Sequence, residues 1–355
     1  MSNLSHILLI SPGFAQSTED SRALPYLQNF IRGLQRYFPD ISVSIIALEY
    51  PFQKTPYSFL HATVYPLNGR NRSFLFKPIL LQKGIRQGLH IHQKKSVSLI
   101  HSFWLGPGTL IGNQLAKKIN CPHLAHAMGQ DVLSTNRYLR FINWKRIKHL
   151  AYLSHQQRQA LEIKQIQQSV LTIGIDLEHI QQSLNSQTEK EFDIIGVGSL
   201  IPLKQYDVFI STIHKLAGKN PNIRAVIIGD GPEYQHLEQT IRHLNLSNQI
   251  KLCGGLPRNE VLQLMSKSKV FFHPSRYESL GYVFLEAIAC GLPVVSLEVG
   301  IAESLPGWYV AKKHNELPDY LEQALKNPAN ISFPSHLTME NTIKKLITTY
   351  QELAK

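Results

Sequence analysis

The chain has 355 residues, which at roughly 150 residues per domain points to two domains and excludes a single small module. Apolar residues make up 43% and charged residues 17%, so the chain buries a core and is not disordered. The net charge of +12 lies wholly in the first half: residues 1–185 hold 20 Lys+Arg against 8 Asp+Glu, and the remainder holds 17 of each.

No acidic residue occurs between Glu49 and Asp131, so the first half is expected to face an anionic partner. Cys121, Cys253 and Cys290 are too far apart for a zinc finger or a disulfide framework, which fits a reducing cytosol. No apolar run approaches the ~20 residues needed to cross a bilayer. The opening MSNLSHILLISPG lacks a basic region and reads as a strand, so neither export nor a membrane span is expected.

Strand and helix signals then alternate. Residues 6–10 form an apolar run closed by Pro12 and Gly13, and Leu27, Phe30, Ile31, Leu34 and Phe38 recur at helical spacing. Further strands are predicted at 43–48, 63–67, 97–103, 123–127 and 149–153. Residues 73–95 mix apolar side chains with five Lys/Arg and no acid, giving either a core helix with a solvated basic face or an interfacial helix on anionic lipid; Pro78 and two glycines weaken a long continuous helix. The polar stretch 178–191 marks a junction. Beyond it come strands at 192–197, 223–228, 249–252, 270–272 and 293–297, with helices at 204–216, 234–244, 258–266 and 281–290. A closing helix follows at 338–354, with Thr338 as N-cap and Glu340 in the first turn. The pattern predicts an α/β protein of two Rossmann-like, doubly wound domains across a cleft: residues 1–180, a linker at 181–191, a second domain at 192–330, and a closing helix within 331–355.

The familiar phosphate motifs fail. Gly196-Val-Gly198 has Ile201 where a dinucleotide site needs its third glycine, Gly229-Asp-Gly231 has Tyr234, and no P-loop is present. The turn Gly198-Ser199-Leu200-Ile201-Pro202-Leu203-Lys204 could instead take a phosphate on backbone N–H groups and a lysine, or be a plain turn with a solvated lysine. In HPSRYESLGYVFLEA (273–287) a strand runs into a loop holding Glu278, and a helix starts at Gly281 with its positive end available to an anion. Glu286 lies within that apolar helix and needs hydrogen-bond donors, from a ribose or from the protein itself.

GVGSLIPLKQYD, VIIGDGPE, IKLCGGLPRNEV, VFFHPSRYESLGYVFLEAIACGLPVV and VGIAE, in that order, resemble the nucleotide-binding domain of family 4 retaining glycosyltransferases of GT-B fold, the glycosyl transferases group 1. The resemblance implies that Glu278 and Glu286 are the E-x7-E pair, the first near the transferred sugar and the second on the ribose. It further implies that Lys204 holds the diphosphate beside Gly198, Ser199, Ser279, Leu280 and Gly281, and that Leu256 and Pro257 meet the base. The family's arginine falls on Ser199 and a glycine on Gln205. In the first half the likeness is looser: HILLISPGF implies Gly13 and Phe14 at the diphosphate, HSFWLGPG implies His101 as a strand-end histidine at the donor sugar, and HLAHAMGQD matches a strand ending in glycine and aspartate.

The expected activity is metal-independent transfer of a sugar, with retention, from a nucleotide sugar to a glycan or lipid-linked acceptor in bacterial surface-glycan or glycolipid synthesis. No cofactor is expected beyond that donor. The histidine pairs His90/His92 and His123/His126 lack further ligands at metal spacing. The expected place is the cytoplasm, with possible peripheral contact on the inner face of an anionic membrane. Competing readings are an epimerase of the same fold and a catalytically silent binding paralogue. Nucleic-acid binding has no supporting motif.

Overall fold

The computed structural model describes residues 4–20, 23–184, 189–302, 305–327 and 331–355. Part of the expected linker and Glu303, the last residue of VGIAE, lie outside them. The chain divides into two compact units, Met1–Gly174 with His336–Lys355, and Ile175–Ser335. The division therefore falls ahead of the polar 181–191 stretch, and the closing helix belongs to the first unit.

The first unit contains β1 (His6–Gly13), α1 (Pro25–Tyr37), β2 (Ser42–Tyr50), β3 (Tyr57–Phe59), β4 (Ala62–Pro66), α2 (Lys77–Lys94), β5 (Leu99–Phe103), α3 (Pro107–Ile119), β6 (His123–Ala127), β7 (His149–Tyr152), α4 (His155–Ala160) and β8 (Gln167–Val170). The second contains α5 (Leu177–Ser183), β9 (Phe192–Val197), α6 (Tyr206–Ala217), β10 (Ala225–Ile228), α7 (Tyr234–His243), β11 (Ile250–Leu252), α8 (Arg258–Ser266), β12 (Ser268–His273), α9 (Tyr282–Ala289), β13 (Val294–Leu297), β14 (Trp308–Ala311) and α10 (Leu317–Lys326); α11 (Met339–Leu353) returns to the first.

Both sheets are doubly wound. The first runs β3-β4-β2-β1-β5-β6-β7-β8, parallel except for the short β3. The second runs β11-β10-β9-β12-β13-β14, all parallel. In the second the strand order reverses between β9 and β12, and an open α/β sheet offers its ligand crevice at the carboxyl ends of the strands on either side of such a reversal. Near-continuous Val, Ile and Leu in β1, β10 and β13 are what strands covered on both faces require.

Helix α2 runs unbroken for 18 residues, against the expectation that Pro78 and two glycines would interrupt it. Pro78 sits in the first turn, where its missing N–H is not needed. Gly84 and Gly88 face α3: a Cβ on Gly84 would lie 2.5 Å from Ile111 Cδ1, and one on Gly88 2.4 Å from Leu115 Cδ1. The glycines thus set a close helix approach instead of a break. Gly84→Leu is expected to cost about 1–3 kcal/mol by overpacking this contact, read as a lower urea midpoint. Among the described residues, no helix is long and apolar enough to cross a membrane.

Candidate active site

The loops after β9, β10 and β12 meet at the carboxyl edge of the second sheet. Gly198, at φ +157°, leaves β9 with its N–H donated to Ile228 O at 3.0 Å, and Leu200 N donates to Asp230 O at 2.8 Å. A Cβ on Gly229 would fall 1.8 Å from Gly198 O, so the first two turns touch backbone to backbone. The β9 and β12 loops are stitched together as well. Arg276 N donates to Leu203 O at 3.0 Å, and Ser275 Oγ reaches Leu203 O at 3.2 Å and Tyr277 O at 2.9 Å. That stitching fixes where Lys204 and Glu278 sit, although 74 residues separate them.

Lys204 Nζ donates to Glu278 Oε1, and His273 Nε2 lies 2.6 Å from the same oxygen. All three side chains are largely buried. Burial alone would raise the Glu278 carboxyl, but the His273 hydrogen bond and the Lys204 charge outweigh it and hold the group at about 2, below its ordinary 4.5. Burial lowers His273 despite the carboxylate beside it, so at neutral pH it is an uncharged ring donating Nε2–H to an ionised Glu278. Because the folded carboxyl is depressed, its stabilising contribution is present above about pH 4.5 and is lost as pH falls through about 2. Tyr206, fully buried, brings its hydroxyl to this corner: a Cβ on Gly198 would meet it at 3.2 Å and His273 Cε1 at 3.6 Å. That hydroxyl has no hydrogen-bond partner among the described residues.

Leu280 is buried, and its carbonyl accepts from Ile301 N at 3.1 Å. Gly281 follows as the N-cap of α9 with φ +78°, where a Cβ would lie 2.4 Å from Phe284, so both the backbone conformation and the packing select glycine. Ser279 precedes them in the same loop, and Ser199 is exposed beside Gly198. Glu286 is one turn into α9 and forms an ion pair with Arg258 Nε at 2.7 Å, both side chains being largely buried. Arg258 opens α8 directly after Leu256 and Pro257, the exposed Pro257 being its N-cap. The structure therefore places Gly198, Ser199, Lys204, Glu278, Ser279, Leu280 and Gly281 around the β9/β12 edge, with Glu286 reached through Arg258.

Two contributors were not assigned from sequence. His273 stood in the quoted motif, where its position at the end of a strand just before Pro274 was the available signal. Arg258 precedes Glu286 by 28 residues, and nothing local links them.

The first unit departs from expectation at two residues. His101 is the central residue of β5, paired in register with Leu9, and not a strand-end group. It is fully buried, with Nδ1 2.5 Å from the Tyr350 hydroxyl of α11 and its ring stacked 5.5 Å from His126. β5 continues two residues beyond it to Phe103, the end expected for this strand. Phe14 packs its ring edge-on to Phe59 at 4.9 Å, and its N–H donates to Tyr50 O at 3.0 Å, so that amide is already committed within the fold. Gly13 ends β1 with room for a Cβ only 3.3 Å from Tyr50 O. Asp131 of HLAHAMGQD accepts from Leu105 N at 2.7 Å and Gly129 N at 2.6 Å and staples two loops together.

Residues 178–345 match the model of the glycosyl transferases group 1. The gpi3 subunit of phosphatidylinositol N-acetylglucosaminyltransferase from Schizosaccharomyces pombe is 27% identical over 199 residues, 54% of this chain and 43% of its own length, so the match spans less than half of that relative. The structure of sucrose-phosphate synthase from Thermosynechococcus elongatus is similar with a TM-score of 0.74 at 18% identity, covering 98% of this chain and 99% of that one. HepE of Anabaena in complex with UDP gives a TM-score of 0.72 at 17% identity, with 98% and 100% covered. The fold is that of GT-B glycosyltransferases, two Rossmann-like units with a C-terminal helix.

Proposed function

We propose that the protein is a retaining glycosyltransferase that binds a nucleotide-diphosphate sugar at the β9/β12 edge and passes the sugar to a glycan or lipid-linked acceptor in surface-glycan or glycolipid synthesis, at the cytoplasmic side of an anionic membrane. The observation that carries this reading is the buried Lys204–Glu278–His273 cluster at the strand-order reversal. Support also comes from the names of similar proteins, an N-acetylglucosaminyltransferase subunit and a chain in complex with UDP.

Chemically, the bond from the sugar's anomeric carbon to the diphosphate oxygen breaks, the acceptor oxygen bonds to that carbon on the same face, and the acceptor's proton goes to the departing phosphate. No enzymatic nucleophile is needed. Charge accumulates on the phosphate oxygen, and groups aimed at it in advance lower the barrier. Lys204 and the N-terminus of α9 supply that positive potential in place of a metal. Glu278, ionised and held by His273, accepts from sugar hydroxyls, while Glu286, oriented by Arg258, accepts from the ribose. Leu256 and Pro257 line the base.

The test is nucleotide release from UDP-, GDP- and ADP-sugars with and without lipid extract. Release from one donor that rises with lipid extract and is lost in Lys204→Ala supports transfer. Acceptor-independent isomerisation of the sugar would instead support an epimerase, and unchanged turnover in Lys204→Ala would reject the site.

A further inference from the structure

The first unit carries an apolar and cationic face that the donor site does not use. Just before α2, the turn Phe74–Phe76 and the first turn of the helix expose four large apolar side chains: Phe74 at 59%, Leu75 at 84%, Phe76 at 49% and Ile79 at 54%. Apolar side chains this exposed and this close together mark an interaction surface. Behind them lies a cavity of about 140 Å³ lined by Arg72, Phe76, Ile79 and Lys83, and beside it an open one of about 420 Å³ lined by Lys54, Lys83, Arg86 and His90. Lys83 and Leu67 belong to both, so the two form one groove.

Among the described residues, Lys77 is the cation here that has a carboxylate partner, Glu49 at 2.5 Å. Lys54, Arg72, Lys83 and Arg86 have none, and the Arg72 guanidinium lies 5.7 Å from the centre of the Phe76 ring, at the border between apolar and charged surface. A groove with uncompensated cations on one side and exposed aromatic and aliphatic groups on the other fits a phosphate joined to hydrocarbon, which is an anionic phospholipid.

We propose that this face docks on an anionic bilayer, with Phe74, Leu75, Phe76 and Ile79 entering the boundary between headgroups and acyl chains and lipid phosphates seated among Arg72, Lys83, Arg86 and Lys54. Gly84 and Gly88 hold α2 tightly on α3, so the face is presented by a braced helix. The inference deepens the membrane part of the proposed function and is independent of the transfer chemistry.

The experiment is co-sedimentation of the full chain with phosphatidylcholine vesicles with or without phosphatidylglycerol, at low and high salt. Binding that requires phosphatidylglycerol, weakens with salt, and falls at least about tenfold in Leu75→Asp and in the double variant Lys83→Glu/Arg86→Glu is expected. Leu75 is largely exposed, so its replacement spares the core, and an unchanged thermal midpoint verifies this. Glu278→Ala is expected to bind vesicles like the wild type, which separates failure of this proposal from failure of the donor site. Absent vesicle binding, equal binding to neutral vesicles, or a self-association abolished by Leu75→Asp without vesicle binding would each overturn it.

Discussion

Glu278→Ala is expected to lower kcat/KM for nucleotide-sugar turnover about 100- to 1,000-fold, the usual scale for removing one preorganised group from a polar catalytic site. Two effects combine. The sugar loses its acceptor, and Lys204 and His273, both bonded to Glu278 Oε1, lose the group that positions them. A buried cation left without its partner also destabilises, by about 3–5 kcal/mol. Glu278→Gln separates the two: it keeps an oxygen that can accept from Lys204 and His273 but removes the charge, so it is expected to be less destabilised than Glu278→Ala and still lose most activity. Thermal midpoints and steady-state kinetics on both variants make the comparison. Full activity in Glu278→Gln would show that the carboxylate charge has no part in transfer.

Acidification below about pH 6.5 is expected to weaken the first unit through its buried histidines. Burial pushes His123 and His126, both on β6, down to about 3. His123 is held by Asn113 Oδ1 at 3.0 Å and Ser102 Oγ at 2.8 Å, and neither partner compensates a positive ring. The folded values lie below the ordinary 6.5, so the unfolded chain takes up protons first; the stability is complete above about pH 6.5 and is lost as pH falls toward 3. At pH 5 the loss is about 2 kcal/mol per histidine, on the order of 4 kcal/mol for the pair. His6, His101 and His149 are shifted in the same direction by burial. Urea unfolding at pH 7 and pH 5 measures the loss, and His126→Leu is expected to flatten the dependence. A midpoint independent of pH would contradict the burial account.

What was legible in the sequence was local. The alternation of apolar runs with helical spacing placed β9 and α8 at their observed bounds, because strand and helix periods are set by neighbouring residues. Glu278 and Glu286 could be singled out because strand, loop and helix follow one another within a single stretch. The ion pair of Glu286 with Arg258 was not readable, since it depends on how α8 packs beside α9. The expected strand at 97–103 ends where β5 ends; the strand-end role of His101 came from the resemblance of HSFWLGPG alone, whereas register puts it opposite Leu9 in the core. The edge strand β8 escaped because its QQSV sequence has no apolar run, and the three-residue β3 was too short to show a period. The basic, apolar segment before and within α2 was readable as amphipathic, but the burial of Leu80, Gly84, Gly88 and Ile91 shows which side it keeps outward.

The central claim, a nucleotide-diphosphate site built on the β9 and β12 loops, is most directly tested by amide hydrogen exchange with and without the nucleotide diphosphate of the donor that is turned over. Slower exchange concentrated in residues 198–205 and 275–286, and absent in Lys204→Ala, is the predicted result. Protection confined to other loops, or equally strong in Lys204→Ala, would contradict it.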